Sequence, residues 1–377
     1  MMKKAMFVMV YASAAMYLAL SGCFTAKAAE NAPATFYVAP DGNDANRGTA
    51  ERPFKTIEKA RDAARSVPKN SPRKIVLRGG SYYDVALALG PEDSGLTIEG
   101  APGEKPVLYG GRPVTGWKKD GDFYAAPLAG VKDREWDFRS IVVDDQWRPR
   151  ARLPETGGFK HYGRFPVRWL GTTGRGWERQ PSEADLTTLK YNRRDLGSWL
   201  DVRNAEITSY NGWDETLLGL KSLNDTTQTV TFSIKASYPP GSFTHHEMID
   251  GMKCYWQKGQ TYVVWDVREG MKEPGQWYLD RTNEKLVYWP KPGEDISKLA
   301  LIAPTQETVI DIAEKAKNIT LKGFTVSCTK TPMAEYAFGA MVFKGAVSGK
   351  GLDGCRFIDL RVDRKSTRLN SSHRIRS

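Results

Sequence analysis

His245, His246, Glu247 and Asp250 form the densest group of proton-transfer side chains in the sequence, and two of its four histidines lie there. Imidazoles change charge near neutrality, so such a group offers a general acid or base. Nothing in the neighbouring residues fixes these side chains against a reacting bond, and a solvated loop is the competing account. Arg148, Arg150 and Arg152 alternate along an extended run, which places three guanidinium groups on one strand face. Paired N–H donors of this kind hold the carboxylate of a uronate sugar. A charged strand edge that resists aggregation would use the same residues. His245, His246, Asp250, Arg148 and Arg150 are therefore the candidate substrate-binding residues, and no residue is assigned to catalysis.

Other candidates yield to structural readings. Asp144 and Asp145 look like a catalytic pair, but adjacent strand residues point to opposite faces, and a turn explains them better. Asp41, Asn43 and Asp44 could suggest a calcium loop, yet they lack the spaced bidentate Glu of an EF-hand, and Asx turns account for them. No metal-type spacing of Cys and His is present. Trp169, Trp177, Trp213 and Trp256 could stack on sugar rings, although aromatic core is the simpler reading. Of four cysteines, Cys328 and Cys355 read as small apolar core residues, and an odd count beyond Cys23 argues against a full disulfide framework.

The elements that must position these residues are mainly strands. Phe36 to Val38 suit a strand, a polar turn cluster runs from Asp41 to Gly48, and Thr56 opens a helix whose Ile57, Ala60, Ala63, Ala64 and Val67 share one face. Strand-like runs follow at residues 75–77, 85–89, 96–99 and 107–109, each closed by glycine-rich turns. From about Arg112 to Asp295 the pattern changes to Trp- and Tyr-rich strands with hairpin signals. Two stand out: residues 138–143 with 146–152 around the acidic pair, and residues 276–280 with 286–289. Strand runs then resume at residues 308–312 and 318–326. Leu321 and Gly323 match Leu352 and Gly354, which predicts a repeat of 31 residues.

The opening FYVAPDGNDANRGTAERPFKTIEKARDAAR, the LTIEGAPGEKPVLYGG corner, the FRSIVVDDQWRPRARLP and EPGQWYLDRTNEKLVYWP hairpins and the NITLKGFTV run occur in the order found in β-helix glycoside hydrolases. Over residues 35–362 the chain resembles glycoside hydrolase family 141 of the pectate lyase-like superfamily. That resemblance implies an all-β fold, a right-handed parallel β-helix with an N-terminal capping helix and an antiparallel β-rich insertion. The implied organisation is a cap and first coils at 35–111, the insertion at 112–295 and resumed coils at 296–362. It further implies a glycoside hydrolase acting on plant or algal polysaccharide. A polysaccharide lyase on uronate-containing glycans, with Ca²⁺, and a non-catalytic sugar-binding adhesin are the alternatives on the same scaffold.

The two ends carry separate signals. Lys3 and Lys4 precede an apolar stretch, Ala5 to Leu20, which reads as an export signal, and Leu20-Ser21-Gly22-Cys23 resembles a bacterial lipobox. Residues 1–23 are thus a lipoprotein signal and Cys23 the lipidated N-terminus, with cleavage after Ala26-Lys27-Ala28 as the rival. The expected location is the outer membrane or cell surface, or else the periplasm or medium, for a chain that is monomeric at full length. Residues 363–377 are basic, serine-rich and aperiodic, and Asp363 to His373 back-translate to a common sequencing-library adapter. A non-native tail is therefore expected, with sugar cleavage by this chain absent or very weak. The leader lysines and the tail account for roughly half of the +11 net charge. What remains is too mild and scattered to favour nucleic acid, and compatible with an acidic polysaccharide.

Overall fold

The computed structural model describes residues 32–68, 70–163, 165–167, 169–170, 176–211, 215–242, 247–249, 252–254, 261–335, 344–365 and 373–375. Helix α1 (Ile57–Arg65) starts where its capping chemistry dictates. The Thr56 hydroxyl accepts from the Lys59 N–H and donates to Asp44, whose other oxygen accepts from the backbone N–H groups of Lys55 and Thr56. Ile57, Ala60 and Ala64 are buried against the main core, and Arg65 holds Asp93 through two bonds of 2.7 and 2.9 Å.

Short parallel strands build that core. The first sheet runs Ala34–Val38, Arg73–Leu77, Leu96–Gly100, Thr320–Lys322 and Arg356–Ile358, each pairing parallel with the next. The second contains Gly80–Tyr82, Pro106–Tyr109, Thr325–Thr329 and Leu360–Lys365, and the third Leu87–Leu89, Ile310–Ile312 and Val347–Gly349. Along the chain these strands recur in the order first, second, third sheet. Their inward residues, among them Val38, Ile75, Leu87, Ile98, Leu108, Ile310, Leu321 and Val326, fuse into one apolar cluster. Alternation with outward polar residues is what a strand buried on one face requires.

Leu96–Gly100 lies directly beside Thr320–Lys322, and Pro106–Tyr109 beside Thr325–Thr329. The intervening chain leaves the stack and returns to the neighbouring position in it. The strands it contributes on the way pair antiparallel. Gly111–Pro113 and Val142–Val143 flank Leu301–Pro304, and Phe123–Pro127 joins the Trp277–Asp280 and Lys285–Tyr288 hairpin. A seven-stranded sheet centres on Glu206–Tyr210, Glu215–Asn224 and Thr261–Trp265. Antiparallel pairing thus extends past Asp295 to Pro304.

Two expectations need correction. Thr320 stands opposite Arg356 and Thr325 opposite Arg361, so the repeat is 36 residues, not 31. Pairing glycine with glycine misleads because the left-handed turn positions also accept Asn and Asp. Asn318 (φ 55°) is the counterpart of Gly354 (φ 63°), and Gly323 (φ 71°) that of Asp359 (φ 49°). The 146–152 run is also not one strand: Gln146–Trp147 ends before Pro149, which has no N–H for a ladder, Arg150 makes a single parallel bridge to Trp277, and a ladder resumes at Arg152–Leu153. The last strand of the second sheet runs through Val362 to Lys365 and pairs with His373–Ile375.

Stacking of the turns is directly testable. Gly351 and Gly354 both have positive φ, so alanine at either costs about 1–2 kcal/mol of backbone strain. A Cβ at Gly354 also collides with Asn318 Oδ1, whereas at Gly351 the nearest atom lies at an ordinary 3.6 Å. Gly354→Ala should therefore lower the urea midpoint somewhat more than Gly351→Ala, because the Asn318 side chain must also turn aside, and a smaller loss at Gly354 would contradict this packing.

Candidate functional site

A groove of about 520 Å³ opens where the chain returns to the parallel stack. Thr305, Gln306, Glu307, Thr308, Asp311, Lys330, Lys344 and Ser348 line it. Local structure sets the lining. Ile310 and Ile312 point into the core, so Asp311 between them faces out, and Ser348 stands beside it in the adjacent strand. Thr305 donates to Asp84 at 2.6 Å, and the Lys330 N–H donates to the Gln306 carbonyl at 2.8 Å. Lys344 pairs with Glu307 at 3.1 Å. Two carboxylates, two ammonium groups, an amide and three hydroxyls in one open groove suit a ligand with many hydroxyl groups. The sequence signal for this site is modest: one acid between two isoleucines and a polar Thr305-to-Thr308 stretch just before it.

A second constellation is internal. Glu206, wholly buried, begins the central strand of the seven-stranded sheet. Its Oε1 accepts from Arg139 at 2.8 Å and from Arg134 and Arg281 at 3.1 Å, while Oε2 accepts from Arg150 at 2.8 Å and Arg139 at 3.1 Å. Asp137 takes Arg139 and Arg281 at 2.6 and 2.8 Å, and Asp266 takes Arg281 at 3.1 Å. Arg139 also donates to the Thr331 carbonyl at 3.0 Å, one residue beyond groove-lining Lys330. Burial pushes the Asp137 carboxyl up, but Arg139 and Arg281 outweigh it and hold it at about 2. For Glu206 burial is likewise outweighed by Arg139, Arg281 and Arg150, which keep it well below the usual range. At Asp266 burial prevails and raises the carboxyl.

The residues singled out from sequence scatter. Arg150 belongs to the internal network, and Arg148 is bound to Tyr288 at 3.1 Å and Glu294 at 2.5 Å. Both are buried and held by the protein's own groups, so they neither share a strand face nor present a clamp for a uronate. Arg152 stacks over Trp265. His245, His246 and Asp250 lie outside the described residues, as do Cys23, Trp213, Trp256 and the side chain of Glu247. Trp169 and Trp177 pack edge-on at 4.9 Å with Phe165 against Trp177, as core aromatics do. Asp144 and Asp145, at φ 45° and 58°, form the turn between Val142–Val143 and Gln146–Trp147. His161, not singled out by sequence, lies half-buried against Tyr262, and loss of water around its ring pushes it down to about 4.

No protein-family model matches the chain, and no curated protein sequence does. One solved structure, described as "Glycoside hydrolase", is similar with a TM-score of 0.60 and 23% sequence identity, over 80% of this chain and 51% of that one. The chain spans about half the length of that protein and has a glycoside hydrolase-like fold. A second, described as "The complex structure of XylC with xylose", aligns with a TM-score of 0.35 and 18% identity over 83% of this chain and 38% of that one.

Removing the central charge of the internal network leaves guanidinium groups buried without their partner. Glu206→Gln should lower unfolding free energy by about 3–5 kcal/mol. The depressed carboxyls of Asp137 and Glu206 add stability that is complete above their unfolded values and is lost as pH falls from about 4 toward 2. Asp266, shifted the other way, softens that transition. Urea unfolding across this range checks both points. The same acid sensitivity in wild type and Glu206→Gln would contradict the assignment.

Proposed function

We propose that this chain is a carbohydrate-active protein built on a right-handed parallel β-helix, and that it belongs to a longer glycoside hydrolase acting on plant or algal polysaccharide. The observation that carries the reading is an open, hydroxyl-matching groove on the outer face of stacked parallel strands, in a fold shared with a protein described as a glycoside hydrolase. The strand order first, second, third sheet and the 36-residue register support the β-helix. The α1 helix then serves as its N-terminal cap, and the antiparallel strands as its insertion.

Glycosidic hydrolysis needs two carboxyl groups roughly 5–10 Å apart, one to protonate the leaving oxygen and one to activate water or attack. Glu307 and Asp311 are the groove's carboxyls, and Glu307 is already paired with Lys344. In this reading the groove binds the glycan, and residues of the longer protein complete the catalytic pair. Export and a lipid anchor at Cys23 place the protein where polysaccharide is met.

The purified chain should be retained by polysaccharide in affinity electrophoresis and release little or no reducing sugar. Asp311→Asn and Gln306→Ala should each weaken retention by about three- to tenfold, the loss of one or two hydrogen bonds. The protein expressed from the extended reading frame should release reducing ends without ultraviolet-absorbing unsaturated uronates. Unsaturated products would replace hydrolysis with elimination, and lack of retention on every polysaccharide tested would sink the reading. Radiolabelled palmitate should enter wild type and not Cys23→Ala, and an unlabelled wild type refutes the anchor.

A further inference from the structure

The groove is polar along its length, yet a sugar ring also has an apolar C–H face that favours an aromatic surface. Tyr83 offers one. It follows the strand Gly80–Tyr82, in which Tyr82 points into the core, so Tyr83 faces out and keeps 40% of its surface exposed. Its ring stacks on Tyr109 with centroids 5.5 Å apart and planes 20° apart. This is the in-register neighbour expected from the pairing of Tyr82 with Leu108. The Tyr109 hydroxyl in turn donates to Asp145 at 2.5 Å, which fixes the lower ring.

Position ties this ring to the groove. Asp84, next in sequence, adopts a left-handed conformation (φ 54°), its N–H donates to the Gly111 carbonyl, and its carboxylate accepts from groove-lining Thr305. On the same sheet, Tyr109 pairs with Ser327, three residues before groove-lining Lys330. Tyr109 and Ser327 are covered by Val142 and Ile302, so Tyr83 is the exposed end of this row, and its link to the groove runs through Asp84 and Thr305. An exposed aromatic ring held by a second ring and by a backbone tied to the groove wall is a rigid surface that is ordered before any ligand arrives.

We propose that Tyr83 is the stacking floor of a pyranose subsite at one end of the groove, selecting sugar units whose ring hydrogens lie together on one face. This rests on the carbohydrate reading above and adds to it a subsite and a specificity. Stacking of this kind is worth about 0.5–1.5 kcal/mol, which is up to roughly tenfold in affinity.

The test uses the full chain with xylohexaose, hexagalacturonate and laminarihexaose, binding being followed by calorimetry and folding by thermal melting. For at least one of these, Tyr83→Ala should weaken binding by about five- to tenfold at an unchanged melting temperature, and Tyr83→Trp should restore it. Tyr109→Ala, which removes the supporting ring, should weaken the same oligosaccharide. Binding that Tyr83→Ala leaves intact overturns the subsite while keeping the carbohydrate reading. If none of the three binds, the subsite is refuted, and if retention on polysaccharide also fails, so is the reading beneath it.

Discussion

The burial of Glu206 constrains more of this molecule than any other interaction. A carboxylate withdrawn from water must be met by charge and hydrogen-bond donors, and here four arginines supply them from segments far apart in sequence. Arg134 and Arg139 come from the loop before Val142–Val143, Arg150 from the run after that hairpin, and Arg281 from the turn of the Trp277–Tyr288 hairpin. Each segment therefore has one acceptable seat on the seven-stranded sheet. Arg139 carries the constraint further, because its bond to the Thr331 carbonyl fixes the chain leaving the second parallel sheet. Parallel stack and antiparallel strands are clasped at that point, beside the groove.

Such a cluster is weak evidence for net stability, since an apolar replacement of equal volume can be as stable. Its consequence is discrimination among arrangements. A hairpin docked one residue out of register would leave a guanidinium or a carboxylate buried without its partner, a penalty of several kcal/mol. The surrounding apolar clusters are less particular about register, because Leu, Val and Ile contacts are non-directional. Apolar burial thus assembles the antiparallel strands, and the ion cluster chooses among the ways they could lie.

What was legible in the sequence follows the same division. Features governed by near neighbours could be read: the Thr56 cap, the apolar face of α1, the turn at Asp144 and Asp145, the Trp277–Tyr288 hairpin, and most parallel strands. Features governed by distant partners could not. Arg148 and Arg150 are spaced like a clamp for a ligand, and only the fold reveals Glu294 and Glu206 opposite them. The repeat length failed for a related reason. Left-handed turn positions constrain backbone conformation, not residue identity, so Asn318 and Asp359 hid the correspondence that glycines at both ends of each pair would have revealed.

The groove was illegible for a third reason: it exists only where two kinds of sheet meet. Parallel strands at about 4.8 Å spacing present outward residues in fixed rows, which is why Asp311 and Ser348, or Tyr83 and Tyr109, stand side by side although far apart or unrelated in sequence. Rows alone make a flat face. The wall comes from the chain re-entering the stack at Thr305, where its hydroxyl joins Asp84 and its N–H joins the Gly110 carbonyl. The shape of this groove therefore depends on the rigid rows for spacing and on the re-entry point for depth. A displaced antiparallel segment would remove the wall without disturbing a single parallel strand, and so the Glu206 cluster, tied through Arg139 to Thr331 beside the groove, bears on the groove's shape.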